Sequence, residues 1–417
     1  MMKIIRLKHI LPILLLLFSF QGITKAQEQY LLTEKTYKLL TAAQELMAAE
    51  NYSRAESQLL ALLKITKKGS YDRAVVQQTL AYVYSSTERY SKATTQFEQA
   101  LNSGALPDEV SHPLRYNLAQ LYIAEQRYKA GINLLKQWIQ AEPSPPSSAH
   151  VLMATAYYYV NDFKGAVRHL TIAVQQEPEP QETWYQLLLS AHIEARQYRS
   201  AIKVLETLIS DFPYQKNYWL QLSALYLQDK KEDSALAVKA LMQRIELTDS
   251  RVLLSLVDMY RYLHIPYKAA QLLEKGMKTQ LIASNQKNLN LLADCWIAAR
   301  ELEHAAVVLK TVAQQDNSGE AGLKYGRVLF DLQQWQQSSA ILMQSLQKLS
   351  GKQVGSATLW LAKTQYYSGD YAKAKASFNR AAKYQRERQQ AIQWLEYIEQ
   401  QVESNTVEEE IVTISSS

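Results

Sequence analysis

The segment Leu80 to Leu101, LAYVYSSTERYSKATTQFEQAL, is patterned to fold back on itself, and the chain repeats that pattern along most of its length. Two apolar-striped helical stretches flank a polar turn, Ser85 to Arg89. Small Ala81 and Ala93 stand where the two helices must cross closely. Leu80, Tyr84, Tyr90 and Phe97 surround that crossing at spacings that share a face on a 3.6-residue period. A lone hairpin of this size cannot bury its apolar face, so it requires similar neighbours. Aligning on the small residue of the second helix gives Ala55, Ala93, Gly131, Ala166, Ala201, Ala235, Ala269, Ala305, Ser338 and Ala374, at intervals of 38, 38, 35, 35, 34, 34, 36, 33 and 36 residues. Nine places before it stand Leu46, Tyr84, Tyr122, Tyr157, His192, Tyr226, Tyr260, Trp296, Leu329 and Gln365. Three places before it stand Tyr52, Tyr90, Tyr128, Phe163, Tyr198, Glu232, Pro266, Leu302, Trp335 and Tyr371. These two columns hold ten of the 27 tyrosines, which accounts for much of an unusual composition.

The pattern resembles the tetratricopeptide repeat, whose period is about 34 residues. Repeats three to five also end with the proline such repeats carry, at Pro143, Pro178 and Pro213. The resemblance implies an all-α solenoid: a right-handed superhelix of about ten helical hairpins. Such a solenoid grows without splitting into separate cores, so 417 residues need not mean several domains. Residues 27–35 read as a polar lead-in and 36–386 as the ten repeats. Long inter-repeat turns are expected at Lys67–Asp72 and Asn102–Pro113. The run Pro143–Ser148 has the composition of a linker, but the interval of 35 across it leaves room only for a turn and a helix start. Pro266 falls at the internal turn of repeat seven. Residues 387–403 form one more amphipathic helix, with Ile392, Leu395, Ile398 and Val402 on one side, the polar-faced cap that a solenoid end requires. Residues 404–417 are acidic and end in three serines, a composition that predicts disorder. The alternative for this tail is a strand, Ile411–Ile414, added to a partner.

Net charge must be taken apart before it is used. The formal +6 includes Lys3, Arg6, Lys8 and Lys25 in residues 1–26, which contain no acid; the remainder carries 42 basic against 40 acidic residues. So balanced a chain has no global electrostatic footprint for nucleic acid. The leader itself has a positive start, an apolar run from Ile10 to Phe20, and small residues at Thr24 and Ala26. This is the pattern of a signal peptide cleaved after Ala26, and the run is shorter than the roughly 20 residues a membrane span needs. No Cys lies near the cleavage position, so the leader lacks a lipoprotein pattern. A soluble periplasmic protein is expected.

Nothing in the pattern calls for catalysis. Beyond leader His9, the histidines His112, His150, His169, His192, His264 and His304 are spread through the repeats without metal-ligand spacing. No phosphate-cradling glycine loop or nucleophile elbow occurs. His192 holds a core column usually given to Tyr and reads as a satisfied core histidine. Cys295, beside Trp296, reads as a small buried hydrophobe, and a single Cys excludes an intrachain disulfide. No cofactor and no metal are expected. An enzyme whose groups converge from distant repeats is the competing class.

The tetratricopeptide resemblance places function on the concave face, at the second, fifth, sixth, ninth, twelfth and thirteenth positions of each repeat. Carried over, the first half presents Gln78, Tyr82, Asn117, Gln120, Tyr158, Tyr159 and Gln186, a set suited to an extended peptide. The second half presents Arg251, Arg261, Lys287, Lys324, Arg327 and Lys363, with Asp258, Asp294 and Glu320 among them, and could favour an acidic segment. The clamp by which chaperone-type members hold a C-terminal carboxylate is not reproduced, since only Asn117 matches one of its columns. The runs RYNLAQLYIAEQRY, ETWYQLLLSAHIEARQY, NYWLQLSALYLQDK and IPYKAAQLLEKGM resemble exported tetratricopeptide proteins associated with TonB systems of Gram-negative bacteria. That resemblance covers most of residues 36–315 and implies a periplasmic accessory of TonB, ExbB and ExbD. An adaptor for outer-membrane protein, pilus or polysaccharide assembly is the alternative within the same class.

Overall fold

The computed structural model describes residues 30–415, with side chains described as far as Gln401; the expected signal peptide at 1–26 lies outside the described residues. The described chain is all-α, with 21 helices and no strand. It divides at Pro213 into two compact units. The first contains α1 (Glu34–Ala48), α2 (Tyr52–Ile65), α3 (Tyr71–Ser86), α4 (Tyr90–Asn102), α5 (Asp108–Ala124), α6 (Tyr128–Ala141), α7 (Ser147–Tyr159), α8 (Phe163–Gln176), α9 (Glu182–Glu194) and α10 (Tyr198–Asp211). The second contains α11 (Lys216–Gln228), α12 (Glu232–Arg244), α13 (Ser250–Tyr262), α14 (Pro266–Lys278), α15 (Gln286–Ala298), α16 (Leu302–Gln315), α17 (Glu320–Asp331), α18 (Trp335–Lys348), α19 (Gln353–Tyr367), α20 (Tyr371–Ala381) and α21 (Arg388–Ser415). Odd and even helices pair as ten hairpins, and within each unit every hairpin packs on the next.

The hairpin turn has one geometry throughout. Each first helix ends two residues before a left-handed residue: Glu50, Glu88, Gln126, Asn161, Arg196, Lys230, His264, Arg300, Gln333 and Gly369. The next backbone N–H then reaches back five residues, as from Arg127 to the Tyr122 carbonyl at 2.7 Å, Gln197 to His192 at 2.8 Å and Gln334 to Leu329 at 2.8 Å. A companion bond runs from the left-handed residue itself, as from Gln126 to the Ile123 carbonyl at 3.0 Å. Together these are the paired bonds of a Schellman motif, which satisfy carbonyls that a helix end would otherwise leave without donors. The accepting carbonyls belong to the column that begins Leu46, Tyr84, Tyr122, and the second helix opens on the column that begins Tyr52, Tyr90, Tyr128.

Burial follows the same register. Ala55, Ala93, Ala166, Ala201, Ala235, Ala269, Ala305, Ser338 and Ala374 are all fully buried where second helices cross first helices. At Gly131 even a Cβ would lie 2.7 Å from the Ile123 side chain, so that crossing is closer still. Around the crossings, Leu59, Leu80, Phe97 and Leu114 fill the core of the first hairpins, and Leu273, Leu292, Trp296 and Leu309 that of the later ones. Burying each such side chain is worth roughly 1.5–3 kcal/mol. The lead-in is fixed too: the Thr33 hydroxyl donates to Asp72 at 2.8 Å, and Tyr30 meets Tyr71 edge-on.

Three expectations are corrected. The second long turn is shorter than expected, because α5 starts at Asp108 with Pro113 inside it. The bond lost there would fall on exposed Glu109, whose carbonyl water can reach. Pro266 occupies the first position of α14, where no N–H is needed and its fixed φ suits the helix. Finally, α21 does not stop at residue 403; its backbone continues to Ser415 through the segment whose acidity predicted disorder. No Gly or Pro interrupts the sequence from Arg388 to Ser415, so nothing local ends the helix.

The left-handed turn residue gives a direct stability test. Only Gly369 among the ten is free of the Cβ clash that costs other residues roughly 1–2 kcal/mol in this region, partly offset for Gly by chain entropy. Gln126→Gly should therefore raise the unfolding free energy by about 0.5–1 kcal/mol, and Gly369→Ala should lower it by about 1 kcal/mol, in urea denaturation. At Ala49, with φ −85°, the change to Gly should be destabilising instead.

Candidate functional site

Within each unit, side chains reach from one first helix to the next. In the first unit, Asn117 Nδ2 on α5 donates to the Tyr82 hydroxyl on α3 at 3.1 Å, and Gln78 hydrogen-bonds the same hydroxyl. Burial is the main reason that the Tyr82 hydroxyl holds its proton more tightly than usual. Tyr82 also packs edge-on against Phe97 at 5.2 Å, so it is half core and half surface. Tyr159 stacks flat on Tyr128 at 4.8 Å, and Tyr158 meets Phe163 at 5.4 Å. Both tyrosines thus brace hairpin turns through second-helix aromatics, although Tyr159 keeps half its surface exposed. Gln186 is exposed and donates to Glu182 at 2.9 Å.

Gln120 is a correction. It is only 3% exposed and hydrogen-bonds Tyr116, which leans on Trp138 at 4.5 Å, so it belongs to the packed interior. Nor are Tyr82, Tyr158 and Tyr159 the packing-neutral groove residues that the carried-over positions imply. Each contributes a ring to aromatic packing, because a large side chain at a helix end covers the neighbouring turn as readily as it faces solvent.

The second unit places its basic set in two ways. Lys324 on α17 reaches Asp294 on α15 at 2.7 Å, and Arg261 reaches Asp258 at 3.3 Å, both on exposed faces where such pairs add little stability. Arg251 and Lys287 are exposed. Arg327 and Lys363 differ from all of these. Arg327 Cζ lies 4.9 Å and Lys363 Nζ 4.8 Å from the centre of the Trp360 ring, on neighbouring helices α17 and α19. Burial first, and the Arg327 charge second, push the Lys363 ammonium below its usual range. Phe330 meets the same indole edge-on at 5.2 Å and holds it in place.

One pair was missed by reading the histidines as isolated. His150 on α7 and His169 on α8 sit Nδ1 to Nδ1 at 3.0 Å, one donating as a neutral imidazole and the other accepting. Burial chiefly, then the proximity of His150, Arg168 and Lys136, lowers His169 to about 4. The signal was present, since nineteen residues separate the two and the hairpin brings such positions together. His192 is buried and hydrogen-bonded to Gln197 at 2.8 Å, as a satisfied core histidine should be. Cys295 is buried, and that burial raises its thiol to about 11, far from a reactive thiolate. Among the described residues, no group of three or more His, Cys, Asp or Glu is placed to hold a metal, and no helix is long and apolar enough to cross a membrane.

Comparison with solved structures gives partial likenesses. A tetratricopeptide repeat protein from Parabacteroides merdae ATCC 43184 is similar at a TM-score of 0.37, with 13% identity over 62% of this chain and 98% of the other. YrrB, described as a TPR protein with an unusual peptide-binding site, is similar at 0.34, with 15% identity over 40% of this chain and 83% of its own. MamA from Desulfovibrio magneticus RS-1 is similar at 0.37, with 15% identity over 44% and 99%. No protein-family model and no curated protein matches the chain. The all-α repeat of paired helices therefore rests on this chain's own architecture.

The histidine pair sets a pH dependence. His169 binds its proton less readily folded, near 4, than in an unfolded chain, near 6.5. Its contribution to stability is thus present above pH 6.5 and is lost as pH falls from 6.5 towards 4. Urea midpoints measured across that window should fall less steeply for His169→Gln than for the wild-type chain. An NMR titration that placed the His169 midpoint near 6.5 would show that the pair does not form in solution.

Proposed function

We propose that this chain is a non-enzymatic tetratricopeptide-type scaffold that holds protein segments along the faces formed by its first helices. The observation that carries the reading is the alignment of polar and charged side chains across successive first helices. It is seen from Tyr82 to Asn117 in one unit, and from Asp294 through Lys324 to Arg327 and Lys363 in the other. A row of this kind offers side-chain hydrogen bonds and charge at hairpin intervals, which suits an extended or helical partner segment better than a small substrate. Within this proposal the chain is exported, its leader is removed after Ala26, and it works in the periplasm as an accessory of a TonB, ExbB and ExbD system. The motivation for that finer part is the leader pattern and the resemblance of the repeat blocks to exported proteins of such systems.

The test combines location, partner and activity. Periplasmic protein should begin at Gln27 on N-terminal sequencing. Deletion of the gene should impair TonB-dependent uptake, and tagged wild-type protein should retain TonB or ExbD in a crosslinked pull-down. Uptake at wild-type levels in the deletion strain, together with no TonB or ExbD in the pull-down, would contradict the assignment.

A further inference from the structure

The cations on the first-helix face of the second unit are not treated alike. Arg261 and Lys324 each have a carboxylate within ion-pair distance. Arg327 and Lys363 have none among the described side chains, yet both are gathered over one indole, that of Trp360. Lys363 is half-buried, and its charge is disfavoured by that burial and by Arg327. Two like charges held against the same ring, one partly desolvated and with no counter-charge, are costly if the arrangement is only structural. Cation–ring attraction offsets part of that cost at roughly 0.5–2 kcal/mol per contact. It does not remove the repulsion, which an anion between the two would turn into attraction.

The three side chains also supply what recognition of a carboxylate requires. Arg327 offers a planar fork of donors, Lys363 a mobile point charge, and Trp360 a flat apolar wall fixed by Phe330. Arg327 is exposed and reachable, while the half-burial of Lys363 lowers the local dielectric and strengthens any pairing made there. Next to them, the existing Lys324–Asp294 pair shows the same face already accommodating a carboxylate beside a cation from the neighbouring hairpin.

We propose that Arg327, Trp360 and Lys363 form a binding site for a side-chain carboxylate of an acidic peptide segment, with the carboxylate bridging the two cations over the indole. This rests on the reading of the first-helix face as a partner surface and names the chemistry of one partner segment. It differs from a clamp for a chain terminus, because the group recognised lies within a segment and the ring is part of the site.

The experiment is fluorescence anisotropy with fluorescein-labelled hexaglutamate at low salt, using the full chain and four variants. Arg327→Gln and Lys363→Gln should each weaken binding about tenfold or more, the loss expected for one charge-assisted contact. Arg251→Gln and Lys287→Gln, which remove the same charge from exposed positions, should change it by less than about twofold. Equal losses in all four variants would overturn the site in favour of a diffuse positive field. Failure of wild-type protein to bind hexaglutamate would overturn it as well. So would competition by inorganic phosphate at lower concentration than by unlabelled peptide, since the site would then be a phosphate site. The two proposals fail separately: a pull-down that succeeds with Arg327→Gln and Lys363→Gln as with wild type leaves the scaffold standing without this site. Selective loss of hexaglutamate binding alongside an empty pull-down keeps the site and removes the named partner.

Discussion

Each hairpin is closed by a backbone bond from the residue just before the second helix to the carbonyl at the third position from the end of the first, and the rest of the repeat is arranged around it. The bond fixes where the first helix stops, what residue is left-handed and which residue starts the second helix. It also brings two side chains into contact. Arg89 lies over Tyr84 at 4.7 Å and Arg127 over Tyr122 at 4.2 Å, donor residue against acceptor residue in each case. The same arginines reach back to the preceding second helix, Arg89 to Glu56 at 2.7 Å and Arg127 to Glu98 at 3.1 Å. The Tyr122 hydroxyl donates to Glu98 at 2.8 Å, which helps raise its pKa to about 12 after burial. A turn that closes one hairpin therefore also fastens it to its neighbour.

Packing then follows from the turn. With the second helix started at a fixed residue, its fourth position always meets the first helix, and only a small side chain fits there. Large residues are pushed to either side of the crossing, where neighbouring hairpins cover them. The proposed partner face uses outward positions of the first helices, such as Arg327, that neither the turn nor the crossing constrains. That is why charge can accumulate on α17 and α19 without disturbing the core.

The hairpins were legible because the constraint recurs at fixed spacing. The columns that contain Tyr84 and Tyr90 stand at the acceptor carbonyl and the second-helix start, so aligning them located every turn. What recurs can be read from one sequence; what happens once cannot. The separation at Pro213 has no distinctive signal, since Pro143 and Pro178 end repeats in the same way. The meeting of His150 with His169 depends on side-chain direction across one hairpin. The burial of Gln120 depends on Tyr116, a neighbour that no repeat column specifies. For α21, composition argued for disorder, while the absence of any helix-breaking residue argued the other way. The proposed partner face was carried over from the resemblance as a set of positions. Which cations are already paired became clear only with Asp258 and Asp294 in place, and of the others in the set only Arg327 and Lys363 share a ring, that of Trp360.

Hydrogen exchange at the turn amides tests this account most directly. The amides of Arg89, Arg127, Gln197 and Gln334 each donate the closing bond. If that bond is the element on which each hairpin depends, they should exchange as slowly as amides in the middle of the helices they join. Exchange as fast as that of the inter-hairpin turn at Lys67–Ser70 would contradict the account, because the hairpins would then be held by side-chain packing alone.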